Sequence, residues 1–136
     1  MRWLRREIED YFVSIERGLR QNTHISKIEE PILLLTSDDY NGLFLCRAIF
    51  WDGSFLNIYE VISTELGYPV RINYAYTYLR NDQRVFRYDN APHHPEIVTH
   101  PHHKHIGAKD LLMPADQPNP SQVMAEIEAL LGKPSV

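Results

Sequence analysis

The residues LFLCRAIFWDGSFLNIYEVIS, positions 43–63, decide the fold. Two apolar segments, Leu43–Trp51 and Phe55–Ser63, flank Asp52-Gly53, a dipeptide that strongly marks a tight turn between antiparallel strands. In the second segment Phe55, Asn57, Tyr59 and Val61 alternate with Leu56, Ile58, Glu60 and Ile62, so successive side chains go to opposite faces. Upstream, Ile32–Leu35 is a short apolar run closed by the turn-rich Ser37-Asp38-Asp39-Tyr40-Asn41-Gly42. Downstream, a turn around Gly67 to Pro69 leads into Val70–Leu79, and Asn81-Asp82 turns that segment into Arg84–Asp89. Consecutive strands joined by short turns pair antiparallel, which predicts a meander of five strands.

Helices are expected at both ends. Leu4, Ile8, Phe12, Ile15 and Leu19 recur every three or four residues and form one apolar face over residues 2 to 20, followed by a polar connector from Gln21 to Glu30. Near the other end Asn119 can cap a helix that has Pro120 at its first position. That helix carries Val123, Met124, Ile127, Leu130 and Leu131 as its stripe and ends at Gly132. The expected architecture is α+β: one domain over residues 1–136, an antiparallel meander sheet of about five strands, and both helices packed on one face. The other face remains available to the segment that follows the fifth strand.

That segment, RYDNAPHHPEIVTHPHHKHIG at 87–107, holds six of the seven histidines: His93, His94, His100, His102, His103 and His105. Imidazole titrates near neutral pH and also ligates metals, so the cluster reads as a functional site. A structural His-Pro-rich loop is the competing reading; an expression tag would be terminal and uninterrupted. On the preceding strand Arg87 and Asp89 share a face that Tyr88 does not. Val70, Ile72, Tyr74, Tyr76 and Tyr78 share a face of the fourth strand, opposite Arg71, Asn73 and Thr77; such a stripe suits a half-buried sheet face or a stacking platform for bases.

Net charge is −4, which argues against coating nucleic acid by bulk charge. From Arg71 to Lys109, however, six cationic residues face three acids, a local balance of +3 before any histidine is protonated. A localised anionic ligand fits that distribution. The single cysteine, Cys46, lies in an apolar run and is expected to pack, and no segment approaches the length of a membrane span. A soluble cytoplasmic protein in a reducing compartment is expected, and its oligomeric state is not encoded in any pattern visible here.

These residues suit cleavage of RNA without metal or other cofactor. One neutral imidazole can take the 2′-hydroxyl proton, one imidazolium can protonate the leaving 5′-oxygen, and Arg87 or Lys104 can stabilise charge on phosphorus. The candidate catalytic residues are His93, His94, His102, His103 and His105, with Arg87, Tyr88, Asp89, Lys104 and Tyr76 as substrate contacts. Two alternatives remain: a non-catalytic module that binds a protein or an anionic ligand, and a histidine metal site. For the latter neither H-E-x-x-H nor a Cys-His pattern is present.

At Arg87-Tyr88-Asp89-Asn90 with Pro92-His93-His94, followed by Pro101-His102-His103-Lys104-His105, the chain resembles the TumE-type toxins of prokaryotic toxin-antitoxin systems. The resemblance extends over most of the chain, from the N-terminal helix through the Tyr74–Tyr78 stretch to the C-terminal helix. It implies a cognate antitoxin as partner, encoded in an adjacent gene and often a DNA-binding protein. It supplies no catalytic assignment.

Overall fold

The computed structural model describes residues 2–38, 40–109 and 111–132, and of residues 2–4 and Glu30 the backbone alone. The side chain of Leu4, first in the expected helical stripe, and Asp39 of the expected turn cluster therefore lie outside the described residues.

The chain runs α1 (Arg2–Gln21), β1 (Ile25–Leu35), β2 (Asn41–Phe50), β3 (Phe55–Ser63), β4 (Val70–Arg80), β5 (Gln83–Asp89), β6 (His103–Ile106), β7 (Leu111–Pro114) and α2 (Pro120–Leu131). All seven strands form one sheet in the order of the sequence, each antiparallel to its neighbour. The α+β class and the meander are as expected, but the strand count is not. β6 and β7 are four-residue segments, HKHI and LLMP, too short and too polar or Pro-bounded to announce themselves by alternation. Residues 25–30, expected as connector, belong to β1, whose register against β2 slips between Ile25 and Lys27 and again between Glu29 and Ile32. Pro31 sits in the second slip, on an edge strand, where a missing N–H costs no ladder bond.

Turn chemistry explains the hairpins. Asn81 and Asp82 both have positive φ (52° and 60°), the two-residue turn whose twist matches a right-handed strand pair. At Asp52-Gly53 the loop is one residue longer than the dipeptide suggested. The Phe50 amide donates to the Ser54 carbonyl, the Gly53 amide to the Phe50 carbonyl, and Gly53 alone takes positive φ, a three-residue loop closed by a glycine bulge.

Both helices cover the same sheet face. Ile8, Phe12 and Leu19 of α1 are buried with Ile15 packed beside them, and Phe12 stacks on Phe44 of β2 at 4.6 Å between ring centroids. Burying such side chains stabilises the fold by about 1.5–3 kcal/mol each. Gly42 is the point of closest approach: a Cβ there would meet Ile8 Cγ2 at 2.8 Å. In α2, Asn119 accepts from the Gln122 amide while Gln122 reaches back to the Asn119 amide, with Pro120 opening the helix. Val123, Met124, Ile127 and Leu131 are buried; Leu130, expected in the stripe, is exposed. Beneath the helices lie Phe44, Cys46, Ala48 and Phe50 of β2, Leu56, Ile58 and Ile62 of β3, Tyr74, Tyr76 and Tyr78 of β4, and Phe86 of β5. Burial pushes the Cys46 thiol up to about 11, consistent with a packing role.

A bulge alters one face assignment. Between β3 and β4 the register passes from Val61↔Asn73 to Ile62↔Arg71, so Ile72 is the extra residue. A one-residue slip moves every side chain beyond it to the other face. Arg71 therefore joins the tyrosines under the helices instead of sharing a face with Asn73 and Thr77, while Ile72 stays exposed.

Candidate functional site

The uncovered face carries its polar groups in adjacent register rows. One row aligns Tyr59, Ala75, Asp89 and His103; the next aligns Arg47, Asn57, Thr77, Arg87 and His105. Because β6 pairs directly with β5, His103 falls opposite Asp89 and His105 opposite Arg87. The distal half of the histidine segment is thus strand and only its first part is loop. That loop is internally hydrogen-bonded: the Ile97 amide donates to the His94 carbonyl, the His102 amide to the Thr99 carbonyl, and Thr99 Oγ1 to the His102 carbonyl at 2.6 Å.

Asp89 is the hub. Its Oδ1 lies 2.9 Å from His103 Nε2 and accepts from the Ala91 amide at 3.0 Å; its Oδ2 accepts from Arg87 Nε at 3.0 Å and lies 3.3 Å from His105 Nε2. Burial opposes its charge, but the Ala91 amide, the Arg87 hydrogen bond and the His103 and Arg87 charges outweigh that, and its carboxyl is held below the usual carboxylate range. His103 is 2% exposed, and its Nδ1 lies 2.9 Å from the Pro101 carbonyl. Both of its ring nitrogens face acceptor oxygens. Arg87 also donates to Thr77 Oγ1 at 3.3 Å.

His94 closes the cluster from the loop. Ligating atoms of His94, His103 and His105 lie within 4.8 Å of one another, and the three rings stand at 69° to 81° to each other. These three imidazoles are the group, among the described residues, that could hold a metal ion. Alongside runs an open groove of about 670 Å³ bordered by Asn57, Tyr59, Thr77, Arg87, Asp89 and Asn90.

The sequence-derived candidates therefore divide. His94, His103, His105, Arg87 and Asp89 converge; His93 is exposed on the loop outside the cluster. His102 turns to the helix side, where its Nδ1 lies 2.8 Å from the Tyr74 hydroxyl and its ring stacks on Tyr74. Burial, then the Arg71 charge, lowers its pKa. Lys104 and Tyr88, paired in register, point under the helices and share Glu126: Lys104 Nζ donates to Oε2 at 2.7 Å and the Tyr88 hydroxyl to Oε1 at 2.6 Å. Tyr76 is fully buried, donates to Glu60 and accepts from Arg71; Tyr11 donates to the other Glu60 oxygen at 2.7 Å. This network of Glu60, Arg71 and two tyrosines, with Arg71 also donating to Gln117, is a polar core that the sequence reading did not see. The signal available was Glu60 alternating in phase with Leu56, Ile58 and Ile62, a carboxylate on an apolar face that needed partners.

Fold and site together define a single-sheet α+β protein whose open face carries an imidazole–carboxylate–guanidinium cluster. The pattern that defines the family Toxin TumE matches residues 19–132, and the chain belongs to that toxin family. Membership makes it the toxin of a toxin-antitoxin system, with an antitoxin as partner. No curated protein and no solved structure matches the chain. No helix among the described residues is long and apolar enough to cross a membrane.

Proposed function

We propose that this toxin cleaves RNA at the His94–His103–His105 cluster by acid-base chemistry, and that its antitoxin is encoded in an adjacent gene. The observation that carries the reading is Asp89, which contacts two imidazoles and the Arg87 guanidinium and, with Arg87, lines an open groove. His94 and His105 are the proton carriers. One, neutral, takes the 2′-hydroxyl proton as that oxygen attacks phosphorus; the other, protonated, delivers a proton to the departing 5′-oxygen, leaving a 2′,3′-cyclic phosphate and a 5′-hydroxyl. Arg87 stabilises the charge that builds on the phosphoryl oxygens. Buried His103 positions the pair and does not touch substrate.

Purified toxin freed of antitoxin should cleave an RNA panel in the presence of EDTA, and His94→Ala or His105→Ala should each slow cleavage at least tenfold, in the range of about 10² to 10⁴ that such catalysis supplies. Absence of cleavage of any RNA sinks the proposal. A second reading, a transition-metal centre, is favoured by the convergence of the three imidazoles. Cleavage that EDTA abolishes and zinc or manganese restores replaces the first reading with this one.

A further inference from the structure

The open face offers more than the cluster. Two grooves adjoin on it and share Asn57 and Tyr59 as their common ridge. The larger leads over Ala75 and Thr77 to Arg87 and Asp89; the smaller, about 380 Å³, leads the other way over Leu45 and Arg47 toward Glu29 and Ile32. We infer that the two form one track for single-stranded RNA, running across β2 to β5, with Tyr59 as the base-stacking platform and Arg47 as a phosphate contact remote from the cleavage site.

Arg47 and Arg87 occupy the same register row, separated by Asn57 and Thr77. Three strand spacings put their backbones about 14 Å apart, so one strand of nucleic acid can meet both while crossing the sheet. Arg47 is held ready for this. Its Nε donates to Asn57 Oδ1 at 2.8 Å and its guanidinium lies 4.3 Å from the Phe55 ring centroid, which uses one of its five donors and leaves the planar fork oriented. Glu29 approaches it only at 3.9 Å, both side chains being over 40% exposed. Tyr59 is 37% exposed in the neighbouring row, between Leu45 and Ala75. Alanine there gives the larger groove a low floor, where a bulkier side chain would fill the space beside the Tyr59 ring. A base on that ring needs an unpaired π-face, which restricts the ligand to single strands.

This inference takes its ligand from the ribonuclease reading, and the two fail separately. The probe is a fluorescent single-stranded 2′-O-methyl RNA, which lacks the nucleophile and cannot be cleaved, read by anisotropy beside a cleavage assay on the unmodified RNA. Tyr59→Leu should weaken binding about 5- to 100-fold, as loss of one stacked base does, and Tyr59→Phe should restore it. Arg47→Gln should weaken binding and reduce the slope of log affinity against log salt by about one charge. Both should raise KM for a long oligonucleotide while leaving its kcat within twofold. A wild-type protein that binds the probe without cleaving RNA keeps the track and loses the catalytic reading. Cleavage with Tyr59→Leu and Arg47→Gln indistinguishable from wild type overturns the track alone, and a wild type that binds no oligonucleotide overturns it as well. A duplex probe bound as tightly as the single strand also overturns it.

Discussion

Asp89→Asn tests the hub of the site. The substitution keeps volume and removes charge from a carboxylate whose side chain is 6% exposed and which faces two imidazole nitrogens, one guanidinium and one amide. A carboxamide offers one acceptor oxygen, so its NH₂ must confront either the Ala91 amide or Arg87 Nε, donor against donor. Losing one charge-assisted hydrogen bond inside the protein costs about 1.5–3 kcal/mol. The Arg87 contribution is discounted because that side chain is 41% exposed and screened by solvent. A total of about 2–4 kcal/mol follows, overlapping the range of about 3–5 kcal/mol for removing one partner of a buried charge pair. Urea unfolding at neutral pH should show it as a lower midpoint at unchanged slope. The pH dependence has a definite sign. Asp89 has a depressed folded pKa, so its contribution is present above the ordinary carboxylate value near ~3.9 and disappears as pH falls through the folded value. Wild type and variant should therefore converge in acid. A difference below about 0.5 kcal/mol at neutral pH, the size of an ordinary surface change, would refute the claim that Asp89 organises the cluster.

Gly42→Ala should destabilise the protein by about 1–3 kcal/mol, because the added methyl meets Ile8 Cγ2 at 2.8 Å; thermal unfolding measures it. Asn119→Ala removes the acceptor of the α2 capping box and should cost about 1 kcal/mol by chemical denaturation. Lys104→Met should leave RNA cleavage within twofold, since its ammonium lies under α2 against Glu126, and a tenfold loss would place it in the reaction after all. His102 has a lowered folded pKa, so the unfolded chain binds its proton first and stability should fall as pH drops below ~6.5; His102→Asn should flatten that limb of the stability profile.

The hairpin core was legible because its cues were local: alternation in Phe55–Ser63, turn residues at Asp52-Gly53 and Asn81-Asp82, a cap and proline at Asn119-Pro120. Long-range facts were not. HKHI contains no apolar alternation, so nothing local says that His103 pairs with Asp89; β5 supplies that strand's partner and its register. Without β6, Lys104 could not be separated from His103 and His105, since the face of a side chain follows only from knowing that its residue is in a strand; Tyr88, on a strand the alternation already marked, falls on the face opposite Arg87 and Asp89 from the sequence alone. Arg71 was assigned to the wrong face because a bulge at Ile72 has no signature in RINYAY. The alignment of Arg47 and Arg87 was half visible: alternation places each on a face, but only the hairpin registers bring them into one row.

The strand order has a consequence for how the molecule comes into being. Every strand pairs with its immediate predecessor in the chain, so on the ribosome the sheet can grow by accretion, each emerging segment meeting a finished edge. Asp89 and Arg87 arrive on β5 with that edge still open, and the imidazoles of His103 and His105 take their places only when β6 closes over it. A nascent chain that stops short of residue 103 carries Asp89 and Arg87 but not the two imidazoles that pair opposite them. The cluster around Asp89 is completed only at the penultimate strand of the sheet.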